Sequence, residues 1–217
     1  MGELFNLDNG FFRGITKIID CVWLSLLWFI CCIPIFSIGA ATTALYYTVN
    51  KSIKNDRGYA SSEYFSSFKA NFKQSTVVWL LFMVIYIVTG VDYFVMKAFA
   101  EGGAEIGKVY LAFPVFGVIV TMWGVYVFPY IARFENTTKV ILKNTLFIAI
   151  SNVHWTIGLT VLFIAMWVGI YVFPPVSIIM PVLYQLFKNI ILERIFKKYM
   201  TPEDLALEEE RNRNFYN

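Results

Sequence analysis

Long apolar runs, separated by short polar and basic stretches, are the main pattern along this chain. Residues 21–49 contain no charged side chain, and neither do residues 109–132. An uncharged apolar run of about 18 residues or more is typical of a helix that crosses a lipid bilayer. The pattern therefore predicts an all-α chain, folded as a polytopic bundle of transmembrane helices.

The apolar runs divide into six predicted spans, of which the second is the shortest. They are residues 14–33, 35–49, 75–94, 109–132, 154–172 and 177–195. Pro34 ends the first span, because proline removes a backbone donor and clashes with the preceding turn. The second span is short enough either to cross the bilayer or to re-enter on the side from which it came.

The positions of the basic residues favour a crossing. Arg13 and Lys17 precede the first span, and a second basic group at residues 51–73 follows the second one. The positive-inside rule places both groups in the cytoplasm, which requires an even number of crossings between them. With six spans only Lys97 and Lys108 lie outside, and the other 16 of the 18 Lys and Arg lie inside. We expect about six spans, the second short or re-entrant, with both termini cytoplasmic.

Two amphipathic segments, residues 63–74 and 137–152, are predicted to lie on the inner membrane surface. Helices of this kind place aromatic side chains among the headgroups and lysines towards the phosphates. We expect residues 1–200 to form one transmembrane domain and residues 201–217 a polar cytoplasmic tail. The first amphipathic segment is also a candidate surface for a protein partner. Its residues are Tyr64, Phe65, Phe68, Lys69, Asn71, Phe72 and Lys73.

Composition indicates lipid as the main partner of this chain. Hydrophobic residues make up 58% and charged residues 15%, with a mean hydropathy of +0.61. A soluble domain has about 25% charged residues, so too few polar side chains are present to cover a water-soluble body. The net charge is +3. Because the basic residues lie at the ends of apolar runs, no nucleic-acid partner is expected.

The segment that follows Pro34 is the most distinctive part of the sequence. Small residues stand four apart, Gly39 with Thr43 and Ala40 with Ala44, which allows two helices to approach closely. The proline also frees backbone carbonyls that could line a cavity. Two interpretations stay open, a tightly packed helical hairpin or a substrate or ion site. The candidate residues for either are Pro34, Ser37, Gly39, Ala40, Thr42, Thr43 and Ala44.

Signals of catalysis are missing from the sequence. It contains no phosphate-binding glycine-rich motif, no H-E-x-x-H and no G-x-S-x-G. The three cysteines have no C-x-x-C spacing and no neighbouring histidines. Asp20, Asp92 and Lys188 fall near predicted helix ends, where a charged side chain can reach the interface. We expect no enzyme activity, no catalytic residue, no metal site and no cofactor.

The first third of the chain resembles a known family. Residues 5–47, FNLDNGFFRGITKIIDCVWLSLLWFICCIPIFSIGAATTALYY, and residues 64–75, YFSSFKANFKQS, resemble the YesL-like family of small bacterial integral membrane proteins. The similarity is densest in residues 1–75 and is mainly hydropathic as far as residue 198. The resemblance implies a bacterial plasma membrane and no known catalytic residues. Since such proteins are often encoded beside carbohydrate ABC importers, it also implies an auxiliary role in sugar uptake.

Three functional hypotheses follow. The first is a non-catalytic auxiliary subunit that binds the permease or ATPase subunits of a carbohydrate ABC importer. The second is a self-contained transporter or channel for small solutes, which would need a polar cavity near Ser37, Thr42, Thr43 and Asn189. The third is a membrane assembly or stress factor.

Overall fold

The chain is almost entirely helical in the part that a computed structural model describes. The structure describes residues 10–200, 202–203 and 205–206, with side chains from residue 14 onward. The predicted tail, residues 201–217, lies almost entirely outside the described residues. No β-strand occurs in the described part, which contains seven α-helices. They are α1 (Gly10–Cys32), α2 (Ile38–Thr48), α3 (Ala60–Glu101), α4 (Ala112–Arg133), α5 (Thr138–Ser151), α6 (Val153–Val172) and α7 (Met180–Lys198).

Four stretches in the described part are long and apolar enough to cross a membrane. They are Gly14–Cys32, Ala60–Glu101, Glu105–Arg133 and Val153–Val172. The prediction of an all-α chain with membrane-type helices is confirmed. The remaining two predicted spans do not meet these criteria, for different reasons. Helix α2 has 11 residues, or about 16 Å at 1.5 Å per residue, and α7 carries five charged residues from Lys188 onward.

Helix α2 is the buried centre of the fold. It follows a 3-10 turn, Ile35–Ser37, and continues into a π-helical segment, Val49–Lys54. Eight of its 11 residues are buried, and it contacts α1, α3, α4 and α7. Protein therefore surrounds α2 on most sides. Neighbouring helices can supply hydrogen-bond partners for the backbone groups at both of its ends. A helix too short to cross a bilayer is therefore tolerated there.

Buried apolar side chains form two clusters that share this central region. The first cluster joins α1, α2 and the beginning of α3, and its members include Leu24, Leu45 and Tyr64. The second joins α4 to its neighbours, including Phe82 of α3 and Phe196 of α7. The outer faces of α1, α3, α4 and α6 expose many large apolar side chains. Such a surface is suited to contact with lipid.

Helix α3 shows that the prediction of a separate surface helix at residues 63–74 is wrong. α3 is continuous over 42 residues, about 63 Å at 1.5 Å per residue, and residues 63–74 belong to its first half.

The indole of Trp23 donates a 2.8 Å hydrogen bond to Ser61, and the indole of Trp79 donates a 2.7 Å hydrogen bond to the Ile35 carbonyl. The first half of α3 therefore runs beside α1, in the same direction.

Packing explains this correction. Three of the four aromatic residues that favoured a surface helix, Tyr64, Phe68 and Phe72, contact other protein side chains, whereas Phe65 is exposed. Tyr64 is fully buried, its ring stacks on Phe68, and Phe72 contacts Phe36 edge-on. The second predicted segment, residues 137–152, does form a separate short helix, α5.

Candidate functional site

Helix α2 crosses α3 at Gly39. A Cβ added at Gly39 would lie 2.5 Å from the backbone oxygen of Ser75 and 2.7 Å from the Cβ of Trp79. One turn further along α2, the hydroxyls of Thr43 and Ser75 are 2.9 Å apart and share a buried hydrogen bond. The missing side chain of glycine is thus what lets the two backbones approach this closely.

The other candidate residues of this segment fall into different environments. Ala40 and Ala44 are fully buried, whereas Pro34 is exposed. The hydroxyl of Ser37 donates to the Pro34 carbonyl over 2.6 Å, which satisfies the hydroxyl within the turn. Thr42 lines the cavity described below. The structure therefore does not gather the candidate residues into one polar site.

The candidate partner surface on α3 is also divided. Tyr64 is buried, and Phe68, Asn71 and Phe72 are partly buried. The amide of Asn71 donates to the Ser67 carbonyl over 3.0 Å, within its own helix. Phe65, Lys69 and Lys73 are the exposed members of the set.

A cavity of about 430 Å³ lies among α1, α2, α3, α4, α6 and α7. This volume is in the range of small-molecule pockets. Its walls are mostly aromatic and aliphatic. They include Trp28, Trp79, Phe128, Phe163, Met166 and Trp167. Trp167 is 45% exposed, so at α6 the wall of the cavity reaches the outer surface of the bundle.

Three polar side chains of α7 line the cavity. Tyr184, Gln185 and Lys188 are 7%, 3% and 3% exposed. The Tyr184 hydroxyl and the Gln185 Oε1 have no hydrogen-bond partner among the described residues. The Lys188 Nζ lies 4.9 Å from the centre of the Tyr184 ring and 5.9 Å from that of Tyr46. No described carboxylate pairs with this ammonium.

The expectation that Lys188 lies near a helix end is wrong. It lies in the middle of α7, surrounded by other helices. A signal for this was available in the sequence. Gln185, Lys188 and Asn189 are spaced by three and four residues, which places three polar side chains on one face of an otherwise apolar stretch.

A buried carboxylate further along α7 joins several elements of the bundle. Glu193 Oε1 accepts hydrogen bonds from the Tyr46 hydroxyl and the Asn50 amide, both over 3.1 Å. Its Oε2 lies 3.4 Å from Nη2 of Arg133. The carboxylate thereby connects α7 with α2, with the segment after α2, and with the end of α4. Partners of this kind compensate for the desolvation of a buried charge.

Two lysines of the segment after α2 add polar contacts, one to the middle of α7 and one to the beginning of α3. Lys54 donates to Asn189 Oδ1 over 3.0 Å, and Lys51 pairs with Glu63 over 2.7 Å. Asn189, one of the residues expected near a transport cavity, is therefore held by a side chain of the segment after α2. Within the described residues no group of three or more His, Cys, Asp or Glu side chains could hold a metal ion.

Residues 21–93 match the model of a family described as "Protein of unknown function, DUF624". The match covers 73 of the 217 residues, so it shows a similarity over about a third of the chain. The expected membership of the YesL-like family is compatible with this match. The matched region contains the Gly39 crossing, about half of α1, all of α2 and most of α3, whereas α7 with Lys188 and Glu193 lies beyond it. No curated protein and no solved structure matches the chain.

Proposed function

We propose that this chain is a non-catalytic auxiliary subunit of a carbohydrate ABC importer in the bacterial plasma membrane. The supporting observation is the lining of the cavity, which is mostly apolar. A sugar carries many hydroxyls, and each needs a hydrogen-bond partner when it leaves water. A cavity with few polar groups is poorly suited to carrying a sugar, which favours a role beside a permease. The YesL-like resemblance supplies the link to carbohydrate uptake.

The same proposal includes six membrane-inserted segments with both termini in the cytoplasm. The contacts between α1 and α3 run in the same chain direction, which agrees with two outward crossings separated by the return of α2. Helices α4, α6 and α7 then run inward, outward and inward. Residues 1–200 form the membrane domain in this proposal, and residues 201–217 form the cytoplasmic tail.

Cysteine labelling in intact cells tests this topology. A membrane-impermeant maleimide is expected to react with Glu105→Cys and Pro175→Cys, which replace exposed residues on the outer side. Ser62→Cys and Thr137→Cys, also exposed positions, should react only after the cells are permeabilised. The parent chain is the control for the native cysteines. Labelling of Ser62→Cys in intact cells would contradict the proposed orientation.

Purification from native membranes tests the proposed partner. The tagged full-length chain, extracted in mild detergent, is expected to bring permease and ATPase subunits with it in near-stoichiometric amounts. Reversing the charge of the exposed pair Lys69 and Lys73 to glutamate should weaken this recovery, because charge reversal at an interface creates repulsion. Reversal of Lys97 and Lys108, at the other end of α3 and in the turn after it, is the matched control.

Recovery of the chain alone under these conditions would contradict the auxiliary role.

The presence of a cavity favours a second candidate, a self-contained transporter for small solutes. Uptake of a labelled sugar into proteoliposomes that contain this chain as their only protein would support that candidate over the first.

A further inference from the structure

The ammonium of Lys188 presents an unusual electrostatic situation. It is 97% buried and lines an apolar cavity, and its contacts are the faces of two tyrosine rings. Aromatic faces attract a cation but do not neutralise its charge. A charge inside a membrane protein is costly, and it commonly marks a functional site with a charged partner.

The other polar groups of the cavity leave this charge unmatched. The Trp28 indole donates to the Thr42 hydroxyl over 3.3 Å, and the hydroxyls of Tyr86 and Thr121 are 2.9 Å apart. These groups therefore satisfy one another. The hydroxyl of Tyr184, four residues before Lys188 on α7, is buried, can donate a hydrogen bond and has no partner among the described residues.

The nearest acidic side chain along α7 is already occupied. Glu193, five residues beyond Lys188, accepts hydrogen bonds from Tyr46 and Asn50 and faces Arg133. The Tyr46 ring stands beside Lys188 while its hydroxyl points to this carboxylate. Glu193 thus faces Arg133, and the Lys188 amino group has no anionic partner among the described residues.

We propose that the cavity binds a single-chain anionic amphiphile, with its carboxylate or phosphate at Lys188 and its alkyl chain along the aromatic walls. Lys188 supplies the positive charge, and the Tyr184 hydroxyl donates a further hydrogen bond to the head group. The apolar walls hold the hydrocarbon chain by van der Waals contact. A cavity of about 430 Å³ accommodates one such chain and is too small for a whole two-chain phospholipid.

Access from the lipid phase is consistent with this occupant. Trp167 lines the cavity and is also partly exposed on the outer face of α6. An amphiphile dissolved in the bilayer can therefore enter beside α6 without crossing water. Binding at this site does not depend on the proposed role in carbohydrate import.

Tryptophan quenching measures this binding directly. The full-length chain is placed in nanodiscs of phosphatidylcholine, and 11-bromoundecanoate is the probe, because bromine quenches indoles on contact and Trp28, Trp79 and Trp167 line the cavity. Saturable quenching is expected. Dodecanoate and dodecyl phosphate should reverse it, whereas dodecanol and inorganic phosphate should not. The neutral alcohol controls for partition into the bilayer, and inorganic phosphate separates a head-group site from a free-anion site.

Substitution of the lysine tests its role. Lys188→Met is expected to raise the apparent Kd for bromoundecanoate by about tenfold or more, since a hydrogen bond to a charged group contributes about 1.5–3 kcal/mol. Lys188→Arg should retain binding. Lys198→Met, at the exposed end of the same helix, is the matched control and should bind as the parent does.

Three results would overturn the proposal. They are reversal of the quenching by dodecanol as effectively as by dodecanoate, competition by inorganic phosphate, and an unchanged Kd for Lys188→Met. If Lys188→Met does not fold, the selectivity of the parent chain among the four competitors decides the question by itself.

Discussion

Replacing Gly39 with alanine is expected to destabilise the bundle, even though alanine is the better helix former. The added Cβ would lie 2.5 Å from the Ser75 backbone oxygen, 2.7 Å from the Trp79 Cβ and 2.9 Å from the Phe128 ring. The first of these atoms belongs to helix backbone, so relief requires α2 and α3 to separate. Overpacking of this kind costs about 1–3 kcal/mol and occasionally more. The measurement is the unfolding midpoint of the purified chain in detergent.

A matched glycine on α3 separates steric overlap from helix propensity. A Cβ at Gly90 would meet no atom within 4 Å, so Gly90→Ala should leave the midpoint unchanged or raise it. Propensity favours alanine over glycine in a helix interior by up to about 1 kcal/mol. The two substitutions are chemically identical, and only their surroundings differ. Equal midpoints for both variants would contradict the close crossing of α2 and α3.

Local sequence patterns predicted the parts of the fold that depend on local properties. Uncharged runs identified the helices that meet the criteria for membrane spans, and Pro34 marked the end of α1, at Cys32. The four-residue spacing of Gly39 and Thr43 pointed to the segment where α2 meets α3. These features follow from backbone chemistry and hydropathy, which can be read from a few neighbouring residues.

The features that were missed depend on distant contacts. An aromatic arc flanked by lysines is compatible with a headgroup layer and with a protein neighbour alike, and the packing of Tyr64 against α1 and α2 decides between them. The burial of Lys188 escapes prediction for a similar reason. It arises from helices far away along the chain, including the Tyr46 ring of α2, which lies 142 residues earlier. No window of neighbouring residues contains that information.

Glu193→Ala is expected to have the largest effect on stability of any single substitution proposed for this chain. The change removes the acceptor for the Tyr46 hydroxyl and the Asn50 amide, and the carboxylate that faces Arg133. Removing one partner of a buried ion pair typically costs about 3–5 kcal/mol, because the remaining charge and donors stay desolvated. The free energy of unfolding, measured by denaturant titration of the purified chain, gives the size of the loss.

Two further variants identify the cause of that loss. Glu193→Gln keeps the shape and one acceptor oxygen but removes the charge, so its stability should lie between those of the parent and Glu193→Ala. Arg194→Ala changes the next residue, whose side chain is exposed, and should shift the free energy by no more than about 0.5 kcal/mol. A double-mutant cycle between Glu193→Ala and Tyr46→Phe should show a coupling energy, because the two side chains share a buried hydrogen bond. Strictly additive effects in that cycle, or a Glu193→Ala variant as stable as Arg194→Ala, would show that the carboxylate does not hold α7 against α2 and α4.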